Sequence, residues 1–271
     1  MLSVYEGFFS GGARIVHSDV VLGLSEGGQH HRVLSMHAEV NREATRQRME
    51  NDTCYRRLTA AGIPVTALGR VFEGGVPAAF TGDELADTAR AMAEADVILS
   101  LKEQPLSLLN QAGLPRRPIV VGLHRSDPEN QSLDELLTGI ADGKVAAAVC
   151  CAESTRAAYE AAGVPGELLT VIPNGVDLIR FRPDAARRLA VREELGLPDA
   201  APVVVFAARY DGMKNVPLFL RAAAEWLSRE PEGHVLMCGA GMSAENTSLL
   251  ADADEVDAVG DDRQQLPRHA R

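Results

Sequence analysis

The stretch VIPNGVDLIRFRP, Val171 to Pro183, decides how the chain divides. Leu169 to Ile172 reads as a buried strand, and Pro173 ends it because proline has no N–H to give to a ladder. Asn174-Gly175 then supplies a turn whose backbone takes positive φ at little steric cost, a pivot that suits a hinge. Before this point strand-like apolar runs alternate with helical patterns. After it the alternation starts afresh at PVVVFAARYDGMKN, residues 202–215. The expected class is therefore α/β with two domains. Residues 1–175 form the first, 176–198 the hinge and a linker helix, and 199–271 the second.

Composition narrows the function. With 271 residues and 46% hydrophobic content the chain has enough apolar side chains for a substantial core. A net charge of −11 excludes a nucleic-acid surface built from clustered Lys and Arg. Cys54, Cys150, Cys151 and Cys238 lack metal-ligand spacing and read as buried, reduced thiols. No signal sequence opens the chain and no apolar run approaches the ~20 residues of a membrane span, so the expected location is the cytoplasm.

Along the first domain, LSVYE (2–6) reads as a strand and Gly11-Gly12 as the turn into a helix. Ile15, Val16, Val20 and Leu24 are expected to form that helix's packed face. The glycines allow close approach to the backbone, and the helix N-terminus behind them offers N–H groups to an anion. Asn41 to Ala61, with mixed Arg and Glu, reads as one exposed helix stopped by Gly62, and Val71 to Thr81 as a loop. DVILSL (96–101) and IVVGL (119–123) read as buried strands. Their carboxyl ends carry Lys102-Glu103 and His124-Arg125-Ser126-Asp127, where ligands gather in open α/β sheets. His17 reads as a packing or capping residue.

In the second domain Arg209 and Lys214 follow a strand at the mouth of a helix expected to bury Phe219, Leu220 and Trp226. Two cations so placed suit a diphosphate, whose charge grows as a bond to it breaks. Gly239-x-Gly241-x-x-Ala244 fits a loosened dinucleotide fingerprint, which keeps a nicotinamide-dependent oxidoreductase as an alternative. A third strand is expected after Asp252-Ala253-Asp254.

PNGVD with Phe181 and Pro183 after it, followed by Arg209 and Lys214, resembles glycosyltransferase family 4. The resemblance implies the GT-B fold of two Rossmann-like domains, the second incomplete here, and retaining transfer of a sugar from a nucleotide-diphosphate donor. It implies that Gly11, Gly12, Arg209 and Lys214 bind the donor diphosphate and that Gly239 and Gly241 line the donor cleft. His124 would orient the donor sugar. Lys102, Glu103, Arg125 and Asp127 would stand on the acceptor side, and closure would turn on Asn174 and Gly175. The nucleotide sugar is a co-substrate, no metal is required, and the acceptor is a small molecule or glycoconjugate. Two departures matter. The glycine usual before the Arg is Ala208, and the E-x7-E motif is missing, since no glutamate is followed by another eight positions on. The chain is thus expected to be the N-terminal portion of a longer transferase. A non-catalytic relic, associating with a chain that completes its second sheet, is a further alternative.

Overall fold

The computed structural model describes residues 1–9, 11–42, 45–74 and 78–259. The chain splits into two compact units, Met1–Asp177 and Leu178–Arg271.

The first unit runs β1 (Leu2–Gly7), α1 (Gly12–Glu26), β2 (Arg32–Arg42), β3 (Thr45–Arg48), α2 (Thr53–Ala60), β4 (Val65–Phe72) and α3 (Gly82–Ala93). It continues with β5 (Ile98–Ser100), α4 (Leu106–Leu109), β6 (Ile119–Leu123), α5 (Leu133–Ala141), β7 (Val145–Cys150), α6 (Glu153–Ala161) and β8 (Leu169–Val171). β2 lies between β1 and β4, and β1-β5-β6-β7-β8 continue the sheet from its other side. Every pairing is parallel except that of β3 with the end of β2. Helices cover both faces, so the strands are apolar on both sides. Val4, Ile98, Val121 and Ala148 belong to one core cluster, and Tyr5, Val33 and Leu101 to another with Val21 of α1 and Leu58 of α2.

Four expectations need correction here. The packed face of α1 is His17, Ser18 and Val21, while Ile15 and Val20 are 46% and 45% exposed. The polar pair goes inward because β1 supplies partners. Ser18 Oγ lies 2.9 Å from the Tyr5 hydroxyl, and His17 Nε2 3.2 Å from Ser3 Oγ. Asn41 to Ala61 is not one helix. Its start pairs with the end of β2, with Glu39 opposite Arg48 and ion-paired to both Arg46 and Arg48. The helix begins only where Asp52 accepts hydrogen bonds from the Cys54 and Tyr55 amides. The loop expected from Val71 starts later, since Val71 and Phe72 pair with Glu39 and Val40; residues 75–77 of it lie outside the described residues. Finally, Gly175 is not among the glycines with positive φ. Asn174 and Gly175 lie in an exposed, irregular stretch between β8 and the division at Asp177.

The second unit contains α7 (Ala185–Glu194), β9 (Val203–Ala207), α8 (Val216–Arg229), β10 (His234–Cys238) and α9 (Thr247–Val259). β9 and β10 are parallel. Val216, Leu220, Met242, Leu249 and Val256 form its core, and Phe206 stacks on Phe219 with ring centroids 4.3 Å apart. Phe219 and Trp226 are half-buried rather than buried, and Cys238, at the end of β10, is exposed. The expected third strand is helix α9. Leu249, Ala253 and Val256 recur at helical spacing and meet α8. Among the described residues no helix is long and apolar enough to cross a membrane.

Candidate functional site

The first sheet reverses its winding between β1 and β5, and ligands of open α/β sheets gather at the carboxyl ends of strands beside such a switch point. Four polar residues stand along that edge: His37 of β2, Glu6 of β1, Lys102 just past β5 and His124 just past β6. Lys102 Nζ lies 3.9 Å from Glu6 Oε2, and His37 Nδ1 2.7 Å from the Glu6 carbonyl. Burial holds His124 below the ordinary histidine pKa, the Lys102 charge adds to this, and a hydrogen bond to the Leu101 carbonyl opposes it. The ring folds back over Gly122, where a Cβ would stand 3.0 Å from its Nε2 and 2.9 Å from the Leu101 oxygen. His17, buried beneath, is driven down to about 3 by desolvation first and by His124 second.

Gly11 and Gly12 open α1. Gly11 has φ 148° and ψ 141°, no side chain caps the helix, and a Cβ on either glycine would meet no described atom within 4 Å. The first N–H groups of α1 are thereby left for an incoming anion. Arg14, in the same turn, is ion-paired to Asp52.

Glu103 does not join this edge. It turns into the core, 1% exposed, and accepts a hydrogen bond from the buried Tyr159 hydroxyl. Burial raises its pKa, which the Tyr159 bond partly offsets. Arg125 and Asp127 grip each other, with Arg125 Nε donating to Asp127 Oδ1 at 2.7 Å, and that bond holds the Asp127 carboxyl below its usual range.

In the second unit Arg209 follows β9 and pairs with Asp211 at 2.9 Å. Asp211 also accepts the Met213 amide at 3.0 Å; this bond first, and Arg209 after it, lower its pKa. Lys214 is exposed and makes no ion pair within 4 Å among the described residues. Asn215 next to it adopts φ 49° and ψ 51°, the left-handed region, immediately before α8. The loop after β10 closes on this one. Ala208 N donates to the Cys238 carbonyl at 2.9 Å and Tyr210 N to the Ala240 carbonyl at 2.8 Å. A Cβ on Gly239 would overlap the Ala208 carbonyl, and one on Gly241 would stand 3.0 Å from Tyr210 Cβ. The Tyr210 hydroxyl donates to Asp252 at 2.8 Å. The two glycines of the dinucleotide-like pattern thus answer to a neighbouring loop of the protein. No group of three metal-ligating side chains occurs among the described residues.

The family model described as Glycosyltransferase Family 4 matches residues 10–180, more than half of the chain. The chain belongs to Glycosyltransferase Family 4. It is 44% identical over 88 residues to D-inositol 3-phosphate glycosyltransferase 2 of Catenulispora acidiphila, covering 32% of this chain and 20% of that protein. It is 37% identical over 125 residues to D-inositol 3-phosphate glycosyltransferase of Thermobispora bispora, covering 44% of this chain and 28% of that one. The matched stretches thus span less than a third of these relatives. Among solved structures, Anabaena Alr3699/HepE in complex with UDP and glucose superposes with a TM-score of 0.69 at 17% identity, over 98% of this chain and 67% of that chain. The likeness is one of fold, and it agrees with the expected α/β, GT-B type architecture.

For a family 4 chain, the sequence-derived residues fall into two sets. Gly11, Gly12, Lys102 and His124, with the Arg125–Asp127 pair, lie along one sheet edge of the first unit. Arg209, Lys214, Gly239 and Gly241 lie in two joined loops of the second. Sequence reasoning missed Glu6 and His37. Their only signal was position, as polar residues at the ends of LSVYE and RVLSMHA.

Proposed function

We propose that this family 4 chain binds a nucleotide-diphosphate sugar and serves its transfer, with retention of configuration, to an acceptor hydroxyl. The observation that carries this reading is the β9 loop, in which Arg209 and Lys214 precede the N-terminus of α8 and the β10 loop braces them from the side. The uncapped end of α1 at Gly11-Gly12 is a second anion-directed feature. In the transfer the bond between the sugar carbon and the phosphate oxygen breaks and a bond from the acceptor oxygen to that carbon forms. The acceptor proton passes to the departing diphosphate. Arg209 and Lys214 neutralise the charge that grows on that group, and on this reading no metal is needed. His124, kept neutral at pH 7, orients the sugar through hydrogen bonds.

The UDP and glucose named for the Anabaena protein support a nucleotide-sugar donor, and the D-inositol 3-phosphate in the names of the two relatives supports a polyol as the acceptor. Calorimetric titration of the chain with UDP, GDP and dTDP tests the reading. One nucleotide binds, and binding disappears in Arg209→Ala/Lys214→Ala. Wild-type binding that survives the double substitution overturns the assignment of these two cations. If no nucleotide binds, the titration is repeated with a longer chain extended to the length of the relatives, and absence there overturns the donor reading.

A further inference from the structure

The spatial order β2-β1-β5-β6 places His37, Glu6, Lys102 and His124 in a row along the carboxyl edge of the first sheet. Glu6 is the member of that row that touches neighbours on both sides. Its carboxylate is 17% exposed and faces the Lys102 ammonium at 3.9 Å, a charge contact rather than a hydrogen bond. Its carbonyl receives His37 Nδ1 at 2.7 Å. A carbonyl only accepts, so Nδ1 carries the proton and the neutral ring keeps Nε2 as an acceptor. Among the described residues the Lys102 side chain makes no other ion pair within 4 Å, while its main chain is tied down by Ser100 Oγ donating to the Lys102 carbonyl at 2.5 Å. No motif of the sequence singled out Glu6.

We propose that Glu6 is the positioning residue of this edge, its carboxylate holding Lys102 and its carbonyl fixing the tautomer of His37. The role in transfer rests on the reading above, in which this edge receives the reacting sugar and acceptor; the contacts themselves do not. With Glu6 in place, Lys102 is directed toward β1 and its charge is partly neutralised beside His124. Lys102 and, from α1, His17 interact electrostatically with His124, and Arg125 and Asp127 follow it on its own loop.

The test follows the histidine ring nitrogens by NMR across pH in the wild-type chain, Glu6→Gln, Glu6→Asp and Lys102→Met, with no nucleotide present. Glu6→Gln leaves the Lys102 charge uncompensated and moves the His124 titration to lower pH by roughly 0.5 unit. Glu6→Asp recovers part of that shift, Lys102→Met moves the titration to higher pH, and the Nδ1–H tautomer of His37 persists in all of them because the carbonyl remains. A His124 titration in Glu6→Gln that coincides with wild type, or that Lys102→Met leaves unmoved, overturns the proposal. So does loss of the His37 tautomer in the otherwise folded Glu6→Gln chain. Nucleotide titration of the same samples is read separately, so a failed donor reading leaves the outcome for Glu6 standing.

Discussion

Tyr159→Phe removes one hydroxyl and, with it, the side-chain hydrogen bond to Glu103, whose carboxyl is 1% exposed. A hydrogen bond to a charged group contributes about 1.5–3 kcal/mol, and a buried polar group left without its partner keeps its full desolvation cost. The phenyl ring fills nearly the same space, so little cavity cost is added. The expected loss is about 2 kcal/mol in urea denaturation, or a Tm lower by roughly 4–8 °C for a unit of this size. The pH dependence separates this bond from general packing. Burial raises the Glu103 pKa above the 4.5 of an ordinary glutamate. The native state therefore holds this proton to higher pH than the unfolded chain does. Its contribution is complete below 4.5 and is lost as pH rises through the native value. Glu103→Gln, which still accepts from Tyr159 and carries no charge, should flatten this fall in stability above pH 4.5 and cost least where the wild-type carboxyl is ionised. If Tyr159→Phe costs under about 0.5 kcal/mol, or Glu103→Gln leaves the pH slope unchanged, the account of this buried pair fails.

His17, driven down to about 3 by burial, is neutral in the folded chain across the range where a free histidine charges. Its contribution is complete above 6.5 and is lost as pH falls toward 3, by at most about 1.4 kcal/mol per pH unit; His17→Gln should shift the acid-unfolding midpoint, followed by circular dichroism, to lower pH. Asp52→Ala removes the cap of α2 and strands Arg14, whose side chain is 12% exposed, so a loss of about 3–5 kcal/mol is expected. Asp52→Asn, which keeps an oxygen for the cap but not the charge, should lose less than Asp52→Ala; equal losses would show that the cap contributes nothing, and no loss in Asp52→Asn would show that the ion pair contributes nothing. Gly239→Ala drives a Cβ into the Ala208 carbonyl at φ 142° and should lower the Tm of the second unit and abolish nucleotide binding, while Gly212→Ala, which meets no described atom within 4 Å, should leave the Tm unchanged. Gly122→Ala meets the Leu101 oxygen at 2.9 Å and should cost about 1–3 kcal/mol and push the His124 ring outward, raising its titration toward the ordinary value by NMR.

What could be read from the sequence follows from what each signal measures. β6, at Ile119–Leu123, falls where its apolar run stands because a strand covered on both faces carries its burial in consecutive residues. Apolar counting misplaces the packed face of α1 because it assumes that polar side chains stay outside. His17 and Ser18 go inside because Ser3 and Tyr5, 14 and 13 positions away in sequence, complete their hydrogen bonds. The β2–β3 pairing is hidden for a related reason, since Glu39 stands opposite Arg48 and ion-pairs with both Arg46 and Arg48, a cross-strand match that helix propensity of single residues does not contain. A helix after the Gly239–Ala244 loop is legible in the sequence, but the spacing of Leu249, Ala253 and Val256 carries it on through the residues where an alternating architecture leads one to expect a strand.

The candidate site divides along the same line. Arg209, Lys214 and His124 announce themselves as charges or an imidazole at strand ends, where side-chain type and local position suffice. Glu103 has the same local credentials as Lys102 beside it, yet one faces the edge and the other the core, because successive residues near a strand end project to opposite sides. Which of the two turns inward depends on Tyr159, 56 residues away, offering a buried hydroxyl. Gly239 makes the complementary case. Read locally, Gly-x-Gly invites a cofactor to approach the backbone. In the folded chain the space that a side chain would occupy is already taken by the Ala208 carbonyl, so the glycine serves the close packing of the loop that presents Arg209. A motif defined by missing side chains specifies that something comes close, and only the fold determines whether that something is a ligand or the protein itself.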